Sequence, residues 1–327
     1  MGYDISEFLW KKVSRDARAG RVQSPALRLI VEREIKINAF IAEEFWNITA
    51  NVSNSQRNIE IDLSQIKGEK VKKDNITIIN DSKKADEIKS MIEAHEKVKV
   101  SNIKHGQRKT KPRAPFTTAS LQQTAYTSLG LSVKQTSAIA QRLYQGMDIG
   151  SGQPEGLISY MRTDSTSLSK DALDDISTYL NNNHQGLASD EVRVYKGKTK
   201  NAQEAHEAIR PAHREFRTIN DVKSSLGKDC ANLYDLIWKR TIASQMLPAK
   251  LKQTTINIKN GKAIFRANGQ VVLFPGYMKI YVEGKDNPDA ELANNEKILP
   301  NLKNSDILFC KDSNKQIHTT KPPARFT

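Results

Sequence analysis

The feature that most constrains this chain is a change of hydrophobic period that occurs twice along it. From residue 45 apolar and polar residues alternate, first in Trp46-Asn47-Ile48-Thr49-Ala50-Asn51-Val52 and again in Asn58-Ile59-Glu60-Ile61-Asp62-Leu63. Side chains of a strand point to its two faces in turn, so this pattern predicts strands with one buried side. From 116 to 247 the pattern turns mainly helical, and after Pro248 strands are expected again at 254–259, 263–267, 271–274, 278–282 and 307–309. β-rich stretches on both sides of a helical one predict an α+β chain, a helical domain inserted into a β-rich domain. The expected boundaries are 45–115 with 248–320 for the β-rich domain and 116–247 for the helical domain. Residues 1–44 form an N-terminal helical segment, and 321–327 begin a return to helix.

Local signals fill in this frame. Ile5, Phe8 and Leu9 stand at helical spacing, and Ser24-Pro25 reads as a helix start with Ser24 as cap and Pro25 in the first turn. A short amphipathic helix over 83–95 and a strand over 97–103 lead into a basic, proline-containing connector at 104–115. A helix starts near Thr118, Gly130 interrupts it, and a second runs over 132–145, a pairing that resembles a helix-turn-helix unit. Helical hairpins are common structural units, so this pattern alone assigns no DNA contact. Further helices are expected over 169–181 and 230–246. Lys111-Pro112-Arg113-Ala114-Pro115-Phe116-Thr117 is echoed by Lys321-Pro322-Pro323-Ala324-Arg325-Phe326-Thr327, which reads as two related strand-to-helix crossovers.

Lys plus Arg outnumber Asp plus Glu by 51 to 37, a formal charge of +14. An excess of this size points to an anionic partner, nucleic acid before membrane. No apolar run approaches the roughly 20 residues of a membrane-spanning helix, and the N-terminus lacks the pattern of a secretory signal. The two cysteines, Cys230 and Cys310, form no Cys-x-x-Cys pair, which argues against a zinc ribbon and suits a reducing cytoplasm. Gly197-Lys198-Thr199 ends like a Walker loop but has Val192 where the upstream glycine belongs, and His206-Glu207-Ala208-Ile209-Arg210 is not a zinc-protease motif.

The chemistry is concentrated in Gly156-Leu157-Ile158-Ser159-Tyr160-Met161-Arg162-Thr163-Asp164-Ser165. Tyrosine ionises near pH ~10 and is a weak nucleophile at neutral pH. A nearby cation stabilises both the phenolate and the charge gathering on an attacked phosphate. If 157–161 is a strand, Tyr160 and Arg162 share a face. By itself a tyrosine in an apolar run is more often a core residue. A second block, Asn201-Ala202-Gln203-Glu204-Ala205-His206-Glu207-Ala208-Ile209-Arg210-Pro211, sets Gln203, His206, Glu207 and Arg210 at helical spacing, with His206 and Arg210 on one face. A third, Ala19-Gly20-Arg21-Val22-Gln23-Ser24, brings Arg21 and Gln23 together, with Arg18 just before.

These three blocks, in this order, resemble the signature motifs of the type IA DNA topoisomerases, most closely the bacterial topoisomerase I class. The resemblance runs nearly the whole chain and implies a β-rich arch carrying a helical domain with Tyr160 as nucleophile. The implied reaction is attack on one DNA strand, a 5′-phosphotyrosine link, and rejoining without ATP, which relaxes negative supercoils. Arg162 would bind the scissile phosphate, its planar fork suiting two oxygens. His206 would hydrogen-bond a phosphate oxygen or the flanking backbone, although a lone histidine of this kind is more often structural. Asp164 would orient Arg162 or a turn, or contact substrate directly. Thr163, Ser165 and Thr166 would bond phosphate or act as ordinary caps. Gln203, Glu207 and Arg210 would line the substrate site, and Arg21, Gln23 and Arg18 would hold the DNA backbone without reading sequence.

The family's magnesium site is an Asp-x-Asp-x-Glu cluster on a separate N-terminal Toprim domain. No such cluster occurs here, so no metal ligand is expected in this chain. It reads as an internal fragment without that domain and the C-terminal region. Such a fragment would hold single-stranded DNA without completing relaxation. A monomer in the bacterial cytoplasm, at the nucleoid and away from membranes, is expected. Met161, where topoisomerase III relatives tend to have proline, favours topoisomerase I over topoisomerase III or half of a reverse gyrase. A tyrosine recombinase would need several catalytic arginines and histidines in a different order. The rival from another class is a nucleic-acid-binding module whose tyrosine is structural.

Overall fold

The computed structural model describes residues 2–17, 20, 22–54, 58–73, 76–77, 79–148, 152–195, 206–212, 216–282 and 297–326. In chain order its elements are α1 (Gly2–Lys12), α2 (Gln23–Asn38), β1 (Glu44–Ser53), β2 (Asn58–Ile66), β3 (Glu69–Lys70), β4 (Lys72–Lys73), β5 (Ile76–Thr77), α3 (Ser82–Glu93) and β6 (Lys97–Thr110). There follow α4 (Thr118–Leu129), α5 (Val133–Gln145), β7 (Met147–Asp148), β8 (Pro154–Glu155), α6 (Lys170–Asn183), α7 (Ile219–Leu226), α8 (Lys228–Ser244), β9 (Ala249–Asn260), β10 (Ala263–Phe274) and β11 (Ile307–Thr319). The chain divides into two compact units. The first is Met1–Ile103, Ile256–Ala267 and Pro300–Thr327; the second is Lys104–Thr255 and Asn268–Leu299.

The first unit is organised by the main sheet, whose strand order is β1-β11-β6-β9-β10-β2-β3, with β1 also paired to β2. That extra pairing closes six strands into a ring, which removes the exposed edges that an open sheet presents. β1 and β11 run antiparallel from Glu44 opposite Thr319 to Ser53 opposite Phe309, with a bulge at Asn51/Val52. The inward positions are those the alternation predicts: Ile48, Ala50 and Val52 on β1, and Ile59, Ile61 and Leu63 on β2, are buried, as are Phe265 and Leu308. Asp81 caps α3 by accepting from the Lys83 N–H, and the helix buries Ala85, Ile88 and Ile92. The Asn260 side-chain amide donates to the Ile92 carbonyl at 3.1 Å, tying β9 to the C-terminal end of α3.

Several local expectations need correction. α2 starts at Gln23 with no side-chain cap, so Ser24 does not cap it, and the helix buries none of its residues. The basic stretch read as a connector is mostly strand, because β6 continues to Thr110. The two short strands expected over 263–274 are one, β10. Residues 276–279 form a 3-10 turn instead of a strand, and β11 runs well past Phe309. α7 went unpredicted, although Thr218 and Asp221 form a capping box that the sequence spells out.

The second unit is built around α8, buried along most of its length, against which α4, α5 and α7 pack. Leu121, Leu143, Leu157, Ile158, Ile176, Leu180, Leu233 and Ile237 share its core. Arg240 lies inside, 5% exposed. Its Nε donates to the Ala114 carbonyl at 2.7 Å, its Nη1 to the Tyr281 hydroxyl at 3.2 Å, and its plane covers the Phe116 ring at 4.8 Å. A buried cation is tolerable only with such partners. The echoed heptads share this device, since Arg33 stands 4.5 Å over the ring of Phe326. Thr117 caps α4 in the first copy; its counterpart Thr327 lies outside the described residues. Cys230 is buried and Cys310 half-buried, both free. No helix among the described residues is long and apolar enough to cross a membrane.

Candidate active site

The tyrosine block and the histidine block, far apart in sequence, are joined by backbone hydrogen bonds within the second unit. The Ser159 N–H donates to the Arg210 carbonyl at 2.8 Å, the Ala212 N–H to the Leu157 carbonyl at 2.9 Å, and the Ala208 N–H to the Ser167 carbonyl at 2.8 Å. The Ser159 hydroxyl donates to the Ala208 carbonyl at 2.7 Å and accepts from the Arg210 N–H at 2.9 Å. Isolated bridges pair Ile158 with Pro211 and Phe116 with Ile209. The described part of the histidine block is therefore extended, not helical, and the expected helical face shared by His206 and Arg210 does not form. Nor is 157–161 a strand beyond its single bridge at Ile158. Burial still alternates: Tyr160, Arg162 and Asp164 are exposed, while Met161, Thr163 and Ser165 are buried. The expected shared face of Tyr160 and Arg162 thus exists without a ladder.

The start of α4 holds the loop from below. The Thr118 N–H donates to the Thr163 carbonyl at 2.8 Å, and its hydroxyl donates to the Met161 carbonyl at 2.7 Å. From above, α5 ends at Gly146 with φ 75°, and a Cβ there would lie 1.9 Å from the Glu155 carbonyl oxygen. A Cβ on Gly156 would meet the Tyr144 carbonyl oxygen at 2.6 Å. These two glycines let the β7–β8 hairpin close against the end of α5, which aims the chain at Tyr160.

A cleft of about 760 Å³ results, lined by Thr117, Thr118, Ala119, Tyr144, Tyr160, Arg162, Thr163, Asp164 and His206. The Tyr160 ring lies 5.3 Å from that of His206, tilted by 33°, and edge-on to Tyr144 at 5.4 Å. Tyr160 is 36% exposed. Among the described residues, the side chains of Tyr160, Arg162 and His206 make no hydrogen bond or ion pair. A cation and a phenol that line one cleft without a partner among the described residues suit an incoming anion.

A family model described as DNA topoisomerase matches residues 1–327. The chain belongs to the type IA DNA topoisomerase family. It is 40% identical over 329 residues to DNA topoisomerase 1 of Xylella fastidiosa, covering 100% of this chain and 40% of that protein. It is 43% identical over 331 residues to DNA topoisomerase 1 of Rickettsia bellii, with the same coverage of 100% and 40%. Full-length topoisomerase I of Thermotoga maritima superposes with a TM-score of 0.77 at 30% identity, covering 100% of this chain and 49% of that one. The chain thus spans less than half the length of these relatives.

With the family in hand, the remaining expected site residues can be placed. Asp164 lines the cleft and makes no ion pair with Arg162 among the described residues, which leaves a role at the turn or directly at substrate. Thr163 and Ser165 are each 8% exposed. The Thr163 hydroxyl accepts from the Ser165 N–H at 3.0 Å, the Ser165 hydroxyl accepts from the Ser167 N–H at 3.2 Å, and Thr166 donates to the Tyr195 carbonyl at 3.1 Å. These hydroxyls brace the loop, the local bonding role expected of them as the alternative to phosphate contact, and Thr163 also lines the cleft. Glu207 and Arg210 pair with each other outside the lining of the cleft. Gln23 opens α2, in the other unit. Arg18, Arg21 and Gln203 lie outside the described residues. Tyr144 was missed by sequence reasoning; its place in the helical pattern of α5 gave no sign that its ring would meet Tyr160.

The family resemblance places magnesium on a separate domain, and the described residues form no protein cage for it. Among them no group of three or more His, Cys, Asp or Glu side chains could hold a metal ion, and Asp164 is the one carboxylate lining the cleft. Magnesium is commonly held by one or two carboxylates together with waters and substrate phosphates, and Asp164 supplies one carboxylate to that set.

Glu207 reports on how firmly its block is held. Burial pushes its carboxyl up, but the hydrogen bond and charge of Arg210, with hydrogen bonds from Ser169, outweigh burial and hold it below its ordinary value of 4.5. A carboxyl depressed in the folded state adds stability above its unfolded value and loses it as pH falls through the folded one. Glu207→Gln should therefore cost up to about 1 kcal/mol at neutral pH, reduced by partial exposure, and the deficit should shrink below pH ~4. Thermal melts across this range check it; parallel curves for both proteins would sink it.

Proposed function

We propose that this cleft binds single-stranded DNA and that Tyr160 cleaves and rejoins one strand. The Tyr160 hydroxyl loses its proton and attacks phosphorus. A bond forms between the phenolic oxygen and the phosphate, and the bond to the 3′ oxygen of the preceding nucleotide breaks. That oxygen takes up a proton and leaves as a 3′ hydroxyl, while the 5′ phosphate stays on the tyrosine. Reversal restores the strand. The phosphoester is exchanged, not hydrolysed, so its energy is conserved and ATP is not needed. In a closed duplex the passage of a strand through the break would relax negative supercoils. Arg162 neutralises charge on the phosphate, and His206, packed on the tyrosine ring, can donate to a phosphate oxygen. The observation that carries the reading is the lone cation Arg162 beside the exposed Tyr160 in one cleft. The excess of basic residues supports a nucleic-acid partner.

The test mixes this chain with an end-labelled single-stranded oligonucleotide, quenches with detergent and maps the adducted peptide. Attachment of the 5′ phosphate to Tyr160 is the expected result. Binding with no adduct would favour the second reading, a module that holds the strand without cutting it. A charge-preserving change probes the cation: Arg162→Lys should slow adduct formation by roughly tenfold, since an ammonium keeps the charge but loses the two-pronged contact. An unchanged rate would remove Arg162 from the phosphate.

A further inference from the structure

A second cavity, of about 290 Å³, opens beside the cleft and is lined by Thr118, Leu121, Gln122, Thr136, Ser137, Ala140, Gln141, Met161 and Arg162. Thr118 and Arg162 line both spaces. We propose that this pocket between α4 and α5 receives the base of the nucleotide adjoining the phosphate held at Arg162. The proposal rests on the reading of the cleft as a phosphate site and adds where that phosphate's own nucleoside goes.

The chemistry of the walls selects the occupant. Leu121, Ala140 and Met161 are buried and form an apolar floor, and a thioether adapts readily to a flat ring. The rim is amide and hydroxyl. Thr136 donates to the Ser132 carbonyl at 3.0 Å, Ser137 donates to the Val133 carbonyl at 2.8 Å, and the Gln122 amide nitrogen donates to the Ser137 hydroxyl at 3.1 Å. These bonds occupy the hydroxyl donors of Thr136 and Ser137 and one of the two hydrogens of the Gln122 amide nitrogen. Among the described residues, the Gln122 carbonyl oxygen, its second amide hydrogen and both ends of the Gln141 amide are left to meet a base edge. An amide that both donates and accepts can meet any of the four bases. Among the described residues Arg162 is the one charged side chain in the lining, so they offer a second phosphate no counter-ion there. An apolar floor, a neutral hydrogen-bonding rim and a cation at the mouth match a base tethered to a phosphate.

Single-stranded oligonucleotides carrying one 4-thiothymidine, walked through each position, are bound to the chain, irradiated, and the crosslinked peptides mapped. One position is expected to crosslink within 118–141. Replacing that nucleotide by an abasic one should weaken binding about tenfold. Ser137→Phe, which fills the pocket from an exposed position of α5, should lose that crosslink and become indifferent to the abasic site. Gln141→Ala should weaken binding about threefold, and an unchanged melting temperature in both variants excludes misfolding. Crosslinks confined to other segments, or an abasic penalty that persists in Ser137→Phe, overturn the proposal. A Tyr160 adduct without the crosslink would fail the pocket alone. The crosslink without an adduct would fail the cleavage reading and keep the pocket.

Discussion

Tyr160→Phe is expected to abolish the covalent adduct with single-stranded DNA while leaving binding within about twofold, because only the attacking oxygen is removed. The ring contacts that place the side chain, 5.3 Å to His206 and 5.4 Å to Tyr144, are kept by phenylalanine. The hydroxyl has no hydrogen-bond partner among the described residues, so folding loses nothing when it goes. Paired measurements decide it: adduct yield after a detergent quench, and binding by fluorescence anisotropy. Adduct in the phenylalanine variant would move the nucleophile elsewhere. A large loss of binding would mean that the hydroxyl holds DNA instead of cutting it.

Gly146→Ala is expected to have the largest effect on stability at a position remote from the substrate. Two costs coincide. The backbone at Gly146 has φ 75° and ψ 175°, a region essentially confined to glycine. Its Cβ would also sit 1.9 Å from the Glu155 carbonyl oxygen, a backbone atom that cannot rotate away. The hairpin must shift to accept even a methyl group. A loss of about 3 kcal/mol or more follows from combining the two, which is roughly 6–12 °C in melting temperature for a unit of this size. The Tyr160 loop follows this turn directly, so adduct formation should fall with it. Alanine at Gly152, which has φ 78° but open space around it, should cost clearly less. Equal effects at the two glycines would show that φ alone, and not the close approach, matters at Gly146.

Much of the fold was legible because its signals are local. Alternation over 46–52 and 58–63 located β1 and β2, and Gly130 between two helical patterns became the left-handed cap that separates α4 from α5. The misreadings share a cause. Gln203, His206, Glu207 and Arg210 have helical spacing, yet the described part of that block is extended, because its backbone groups bond to Phe116, Leu157, Ser159 and Ser167. Spacing of polar residues carries no information about such distant partners. The stretch after 103 looked like a connector because it is basic and nearly free of apolar residues. Strand pairing extends it to Thr110, since backbone hydrogen bonds do not require apolar side chains. Thr163 and Ser165 were legible as hydroxyls but not as inward-facing ones.

The sequence by itself determined the chemistry on offer: a tyrosine, a cation two residues on, a histidine in a second block, and a basic surplus. It also placed Tyr160 and Arg162, two residues apart, on one face, although the loop is not a strand. Only the tertiary structure decided that the two blocks meet. The Ser159 hydroxyl reaches the Ala208 carbonyl across 49 residues of chain, and that contact brings the His206 ring to Tyr160. It also decided that the β strands close into a ring, that α4 and α5 leave a pocket beside Arg162, and that Asp164 makes no ion pair with Arg162 among the described residues. Each of these depends on closing a long loop, and the free energy of that closure is repaid by contacts between residues that no local pattern relates.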